Sequence, residues 1–410
     1  MFDLGAVAAL PDVLLRPDAI PTDRRPRLVA TGYGGSVRAS FSGSTAYLAE
    51  AGISEGSLDG AFTLYSTSPR DRRLELEGAA WKLRQILRRE STSGFKFSER
   101  FSAHVWQRHL PALAGTDIIS NFQLYSSGFF QRRSEFDVRA FFYLDGTLHD
   151  YLLGYREHDV AIIDPATADR AIAVERRGYQ QADGIAVMSE FTARTLTQEY
   201  GVRRDRITVV LPGANLSDVM AARVVTARAA RPPTEEVTVG FVGVYPERKG
   251  LPKLAAAVAA LRLAKVPVRL LVVGRCPEEI ARMDGVEALG FVSKTGDPDR
   301  FVDALSRVDL GCQLSTAELF GIAVLEFFRC GIPVLATEVG GVTDVLAGGG
   351  GLAVPGEISV GGVADQIRRF VKDESLRRRL SHDAAGRSDG VRWQHTAASL
   401  GRFVASRTAP

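Results

Sequence analysis

Two glutamates, Glu318 and Glu326, lie eight residues apart in the stretch STAELFGIAVLEFF, around the start of a predicted helix. A carboxylate in such apolar surroundings is costly unless a partner compensates for its lost hydration. The start of a helix favours anions because unpaired N–H groups point out of it, and Gly321 would let the backbone approach a phosphate closely. The spacing therefore indicates a ligand with a diphosphate at the helix start and hydroxyl groups on both sides of it.

The elements that must position these glutamates repeat a strand-then-helix pattern in two series. The second series contains the apolar runs VTVGFVGVY, PVRLLVVGR, VEALGFV, VDLGCQLS and GIPVLATEV, with helical stretches between them. Apolar strands alternating with helices predict parallel sheets covered by helices on both faces. We therefore predict an α/β fold of two Rossmann-like domains in tandem, 1–230 and 236–388, with a terminal helix at 389–410. Ligands of such folds are expected in the cleft between the domains.

Composition excludes several classes of protein. The net charge of only +3 and the absence of a basic arm give no reason to expect a nucleic acid partner. The three cysteines are odd in number and lack CxxC spacing, which argues against a disulfide framework or a zinc site. The first residues make a poor signal peptide, and no window approaches the about 18 to 20 apolar residues of a membrane span. We expect a cytoplasmic protein, at most peripheral at the inner face of the membrane.

The segment 72–110 combines apolar residues at helical spacing with several lysines and arginines. One interpretation is a surface helix with a solvated basic face. The other is an acceptor-side or membrane-surface helix.

The stretch AELFGIAVLE closely resembles the Glu-x7-Glu signature of retaining nucleotide-sugar glycosyltransferases of family 4, which have the two-domain GT-B architecture. The neighbouring motifs GFVGVYPERKG, LLVVGR, VEALGFVS and GIPVLATEVGG follow in the family's order. The resemblance implies that Glu318 binds hydroxyls of the donor sugar and that Glu326 binds the ribose. It also implies backbone contacts to sugar and phosphate from Phe320, Gly321 and Ile322.

The segment VYPERKG carries Lys249 at the family's lysine position, where a cation would face the donor diphosphate. The family usually has an arginine five residues upstream, where this chain has Val244. Arg248 could supply that charge, or its side chain could point to solvent. The resemblance also assigns donor-side positions in the second domain to Gly243, Gly274, Phe291 and Val292.

The first domain contributes fewer candidates. Its glycine-rich loop is not a dinucleotide fingerprint, because Val37 stands where the third glycine should be. By resemblance, a glycine-rich loop borders the donor phosphate and the acceptor here, and either Gly34 and Gly35 or Gly43 would form it, although an ordinary turn explains either nearly as well. In RAFFYLDGTLHD, Asp145 or His149 would lie near the donor sugar, whereas the alternative for His149 is a helix-start residue without a ligand.

The resemblance thus implies a retaining, metal-independent glycosyltransferase without a bound cofactor. It would move a sugar from a nucleoside diphosphate, UDP or GDP, to a hydroxyl of a glycan, a lipid-linked sugar or a natural product. It further implies that the terminal helix packs back on the first domain, with Trp393 as its anchor. Two alternatives remain open: a nucleotide-sugar epimerase on the same scaffold, and a non-catalytic, glycosyltransferase-like scaffold protein that binds nucleotides.

Overall fold

The computed structural model describes residues 7, 10, 12–16, 24–31, 36–38, 40–64, 72–90, 92–121, 127–155, 163–232 and 234–407. The chain forms two compact units. The first contains Met1–Leu211 together with Trp393–Pro410, and the second contains Pro212–Arg392.

The described part of the first unit contains a seven-stranded sheet. Its strands are β1 (Val13–Leu15), β2 (Arg27–Thr31), β3 (Gly60–Thr63), β4 (Asp117–Ser120), β5 (Arg139–Leu144), β6 (Gly184–Val187) and β7 (Ile207–Val209). They lie in the order β1-β3-β2-β4-β5-β6-β7, and β1 pairs antiparallel with β3 while every other pairing is parallel.

Apart from the terminal helix, the described α-helices of this unit are α1 (Ser44–Ser54), α2 (Arg72–Leu87), α3 (Glu99–Gln107), α4 (Ser127–Arg132), α5 (Leu148–Gly154), α6 (Pro165–Gln181) and α7 (Glu190–Gln198). Short 3-10 helices occur at Ser40–Gly43, Phe95–Phe97, Leu110–Leu113, Arg133–Phe136 and Arg204–Arg206. The buried side chains of Trp106 and Tyr179 join those of the strands in one core.

The second unit has a six-stranded parallel sheet in the order β10-β9-β8-β11-β12-β13. Its strands are β8 (Val237–Gly243), β9 (Val268–Gly274), β10 (Val286–Gly290), β11 (Leu310–Gln313), β12 (Val334–Thr337) and β13 (Gly351–Val354). The first five correspond to the five apolar runs of the sequence. A parallel sheet with helices on its faces buries its strands on both sides, which is why those runs are continuous rather than alternating.

The helices of the second unit are α8 (Asp218–Ala230), α9 (Leu251–Leu263), α10 (Glu278–Ala281), α11 (Pro298–Ser306), α12 (Ile322–Arg329), α13 (Val342–Leu346), α14 (Val360–Lys372) and α15 (Glu374–Gly386). Helix α8 lies at the end of the predicted first domain, 1–230. It packs on α11, and Arg223 of α8 pairs with Asp299 at 2.6 Å. This packing puts the boundary between the units near residue 211, earlier than the predicted end of the first domain at 230.

The terminal helix α16 (Trp393–Ser406) belongs to the first unit, where it packs on α1. Trp393 is buried, and the ring of Phe403 lies edge-on to Phe141 with the ring centres 5.8 Å apart. Gly184 of β6 makes this packing possible, because a Cβ there would come within 2.7 Å of the Phe403 ring. Within the described ranges, no helix is both long and apolar enough to cross a membrane.

Candidate active site

The side chain of Glu318 lies in the loop between β11 and α12 and is only 10% exposed. Nη1 of Arg248 donates to Glu318 Oε2 at 3.0 Å and to the backbone oxygen of Ala317 at 2.7 Å. Nζ of Lys249 lies 3.5 Å from the same carboxylate oxygen. Two consecutive cations thus converge on one buried carboxylate, and Arg248 points inward rather than to solvent.

Two neutral donors complete the surroundings of Glu318. Nε2 of Gln313 donates to Oε2 at 3.1 Å, and Oγ of Ser315 does so at 3.3 Å. Burial by itself would raise the pKa of Glu318, but Lys249 and Arg248 outweigh it and hold the pKa below its usual value. No described residue donates a hydrogen bond to Oε1. Glu318 is therefore an anion whose second oxygen can accept a hydrogen bond from a ligand hydroxyl.

Two glycines shape the strand ends beside this cluster. Gly243 and Gly274 are opposite each other at the carboxyl ends of the parallel strands β8 and β9. At Gly274, where φ is +124°, a Cβ would lie 1.9 Å from the Gly243 oxygen, and at Gly243 a Cβ would lie 2.6 Å from Cδ of Lys249. The lysine stem therefore passes across Gly243. The close packing within the protein therefore explains why glycine occupies both positions, without a contact to the donor.

The start of α12 is formed by close backbone packing. Gly321 precedes the helix with φ +88°, and no side chain caps the helix N-terminus. A Cβ on Gly321 would come within 2.6 Å of Val342 and 3.0 Å of Gln313, while one on Gly340 would lie 1.7 Å from the Glu318 backbone oxygen. Phe320 is buried, so it can offer a ligand only its main chain.

Glu326 lies further along α12 and is also buried. Its Oε1 forms an ion pair with Nζ of Lys294. The same ammonium group donates to the backbone oxygen of Asn215 at 3.3 Å and lies 5.4 Å from the centre of the Phe301 ring. Burial, together with the charge of Glu326, raises the pKa of the Cys330 thiol to about 12. A ribose bound at Glu326 would have to share this carboxylate with Lys294 or displace the lysine.

Phe291 and Val292 follow the edge strand β10 and differ in exposure. The ring of Phe291 is exposed, whereas Val292 is buried. Of these two residues, Phe291 is therefore the one that can offer its side chain to a ligand.

In the first unit, Asp145 directly follows β5 and is half-buried. Its backbone oxygen accepts a hydrogen bond from Oγ1 of Thr192 at 2.8 Å. His149 lies in the first turn of α5, and its Nε2 is 3.8 Å from a carboxylate oxygen of Glu199. Its Nδ1 is buried and has no partner among the described residues. The candidates Gly34 and Gly35 lie outside the described residues.

Thr147, in the DGT stretch before α5, has a structural task. Its side chain accepts from the N–H of Asp150, while the Asp150 carboxylate accepts from the N–H of Thr147 at 3.0 Å. This capping box starts the helix that carries His149.

Two family models match successive parts of the chain and together span most of it. The model described as Glycosyltransferase Family 4 matches residues 62–218, and the one described as Glycosyl transferases group 1 matches residues 226–387. The second match includes both glutamates of the signature. The chain belongs to the family 4 glycosyltransferases. The family predicted from Glu318 and Glu326 is thereby confirmed.

The curated relatives of this glycosyltransferase include D-inositol 3-phosphate glycosyltransferases. The one from Nocardia farcinica is 32% identical over 252 residues, which cover 58% of this chain and 55% of that relative. The one from Rhodococcus jostii is 32% identical over 255 residues, with 58% and 55% covered. The match with this glycosyltransferase thus spans about half the length of these relatives.

Solved structures show that this glycosyltransferase shares a known fold. Sucrose-phosphate synthase from Thermosynechococcus elongatus superposes with a TM-score of 0.65 at 21% identity, covering 93% of this chain and 99% of that one. HepE from Anabaena in complex with UDP and glucose gives a TM-score of 0.62 at 16% identity, covering 93% and 100%. The predicted fold class, two Rossmann-like α/β domains in tandem, is confirmed.

Sequence reasoning missed several residues that contact the two signature glutamates of this glycosyltransferase. Gln313 and Ser315 donate to Glu318, and Lys294 pairs with Glu326. Gln313 was recognisable as a polar residue at the carboxyl end of an apolar strand, where ligand sites of such sheets lie. Nothing in the local sequence connects Lys294 with a residue 32 positions away.

A second missed feature is the buried carboxyl group of Glu175 on α6. It accepts hydrogen bonds from the N–H of Leu148 at 2.9 Å, from Tyr179 at 2.6 Å and from Tyr200. The Tyr200 oxygen also accepts from the N–H of His149 at 3.1 Å, so the network supports the start of α5. The sequence signal was an acidic residue on the apolar stripe of an amphipathic helix.

Proposed function

We propose that this chain is a retaining glycosyltransferase that moves a sugar from a nucleoside diphosphate to the hydroxyl group of an acceptor. The observation that carries the proposal is the buried, anionic Glu318. It is held by Arg248 and Lys249 directly before the uncapped start of α12. A carboxylate with one unoccupied oxygen beside a cation and a helix N-terminus suits a sugar linked to a diphosphate.

The two cations have different tasks in this proposal. Arg248 is buried and bonded to both the Glu318 carboxylate and the Ala317 backbone, so it positions Glu318. Lys249 makes only the longer 3.5 Å contact, which leaves its ammonium group able to face the diphosphate. A fixed ammonium group and the N–H groups of α12 would stabilise the charge that builds up on the leaving nucleotide. This supports catalysis without a metal ion.

Retention follows from substitution on one face of the sugar. The bond between the anomeric carbon and the phosphate oxygen breaks, and the acceptor oxygen bonds to that carbon on the same face. The acceptor proton passes to the departing phosphate oxygen. The lowered pKa of Glu318 makes this carboxylate a weak base, which supports a role in binding donor hydroxyls rather than in removing that proton.

We propose a UDP-sugar as the first donor to test, because the HepE structures contain UDP and UDP-glucose. A polyol phosphate is the first acceptor to test, because the curated relatives are named for inositol 3-phosphate. Glycans, lipid-linked sugars and natural products form the second set of acceptors.

Thermal unfolding in the presence of UDP, GDP, ADP, dTDP and their sugars tests donor binding. A nucleotide at 100 times its dissociation constant should stabilise the protein by about 2.7 kcal/mol. Glu326→Ala should reduce this stabilisation, whereas Glu235→Ala, an exposed change before β8, should not. If no nucleotide stabilises the parent protein, the proposed donor site is wrong.

Turnover tests the rest of the proposal. Release of nucleoside diphosphate should depend on the acceptor, continue in EDTA, and give a product with the donor's anomeric configuration by NMR. A product with the inverted anomeric configuration would contradict the retaining mechanism. Loss of activity in EDTA would contradict catalysis without a metal ion.

A further inference from the structure

Helix α2 packs on the first unit along one narrow side. Leu74 and Gln85 are its buried residues, and the Gln85 amide donates to Oγ1 of Thr167 at 3.1 Å. Trp81, on the same side, has its ring centre 5.9 Å from that of Phe95. Successive residues of a helix turn by about 100°, so this side is centred on Leu74, Trp81 and Gln85.

The opposite side of α2 is apolar and open to solvent. It carries four large side chains with exposed fractions of 71%, 59%, 60% and 77%, at Leu76, Leu83, Ile86 and Leu87. Single exposed apolar side chains are ordinary, but four on one face of a 16-residue helix form a patch of the kind that binds a partner or a membrane.

Basic side chains border this patch. Between residues 72 and 89 the chain has six lysines and arginines but only two acidic residues. Lys82, Arg84, Arg88 and Arg89 are among the basic residues that form no ion pair with any described residue. Beside the first turns of α2 lies a groove of about 690 Å³ against α3, lined by Arg73, Arg100, His104 and Arg108 as well as Glu77. Glu77 lies 3.8 Å from Arg100.

We propose that α2 is a docking helix that lies on the surface of an anionic lipid bilayer. Leucine side chains on its outer face would enter the boundary between headgroups and acyl chains, as in interfacial amphipathic helices. The bordering lysines and arginines would meet the anionic headgroups.

Charge favours a bilayer over a second copy of the chain as the occupant of this face. Two copies joined through α2 would bring together two surfaces with the same excess of positive charge. An anionic bilayer neutralises that excess.

Flotation of the full chain with vesicles tests the apolar part of the proposal. The protein should bind vesicles of phosphatidylcholine with about 30% phosphatidylglycerol, and bind weakly to pure phosphatidylcholine. Leu83→Gln/Leu87→Gln should lower the apparent partition coefficient at least tenfold. Leu153→Gln/Leu263→Gln, which alters leucines that are 58% and 84% exposed on other helices, should bind as the parent does. Equal binding by both double variants would overturn the proposal.

A second pair of variants tests the charges. Arg84→Gln/Arg88→Gln should weaken binding roughly twentyfold, since each basic side chain near the surface contributes about fivefold. Arg379→Gln/Arg402→Gln changes the net charge equally on other helices and should have a small effect. The parent protein could instead fail to bind anionic vesicles and form a dimer that Leu83→Gln/Leu87→Gln abolishes. That result would mean that α2 binds a second copy of the chain and not a bilayer. These readouts need no donor or acceptor, so their failure is distinct from failure of the proposed transferase activity.

Discussion

The first unit should lose stability as the pH rises, because of the buried carboxyl group of Glu175. Burial raises the pKa of this group from 4.5 to about 8, although the hydrogen bonds from Tyr179, Tyr200 and the Leu148 N–H act to lower it. The folded unit then keeps a proton on Glu175 at pH values where the unfolded chain has released it. The stabilisation is complete below about pH 4.5 and is lost as the pH rises through about 8.

The size of the effect follows from the pKa difference. A difference of one in pKa corresponds to about 1.4 kcal/mol. The rise from 4.5 to about 8 therefore amounts to about 5 kcal/mol over the whole range. About 3 kcal/mol of this should be lost between about pH 5.5 and 8. His109 has the opposite effect, and its contribution to stability increases as the pH rises. Burial lowers the pKa of His109 in the folded unit, so the unfolded chain takes up a proton there more readily.

Comparison with Glu175→Gln isolates the contribution of this carboxyl group. All three tryptophans, at 81, 106 and 393, belong to the first unit, so urea unfolding followed by tryptophan fluorescence reports on that unit. The free energy of unfolding of the parent minus that of the variant should fall by about 3 kcal/mol from about pH 5.5 to 8. Glu55→Gln, at an exposed position, should show no such change. A constant difference for Glu175→Gln would show that the carboxylate stays ionised and would refute the reasoning.

Three further predictions concern the second unit. Lys249→Met keeps the packing across Gly243 but removes the ammonium group, so the initial rate of transfer should fall about 100-fold or more while the donor dissociation constant changes less than tenfold. Equal losses in the initial rate and in the donor affinity measured by calorimetry would contradict the role assigned to Lys249. Lys294→Met leaves Glu326 buried without its cation, so thermal unfolding should show a stability lower by about 3 kcal/mol, and adding Glu326→Gln should recover part of that stability. If the second substitution recovers none of it, the loss comes from packing instead. Gly340→Ala should destabilise the unit by about 2 to 4 kcal/mol in denaturation followed by circular dichroism, because the new Cβ would overlap the backbone oxygen of Glu318. An unchanged unfolding midpoint would mean that this loop relaxes easily.

Local patterns determined much of the second unit. Strands β8 to β12 were recognisable because a parallel sheet buried on both faces requires continuous apolar runs. The start of α12 was recognisable because Gly321 follows a polar loop and precedes an apolar helical stretch. Strand β13 was missed, since its four residues follow a run of glycines and its burial is only partial at the edge of the sheet.

The sequence by itself determined the family and the tandem α/β fold, because the spacing of Glu318 and Glu326 and the apolar runs are local properties of the chain. Only the tertiary structure decided that Arg248 points inward to Glu318 and that Lys294 pairs with Glu326. It also decided that α8 belongs to the second unit and that Leu76, Leu83 and Leu87 of α2 face outward whereas Leu74 is buried. The physical reason is that these features depend on how separate elements pack, and local backbone and hydrophobic preferences do not specify which distant side chains meet.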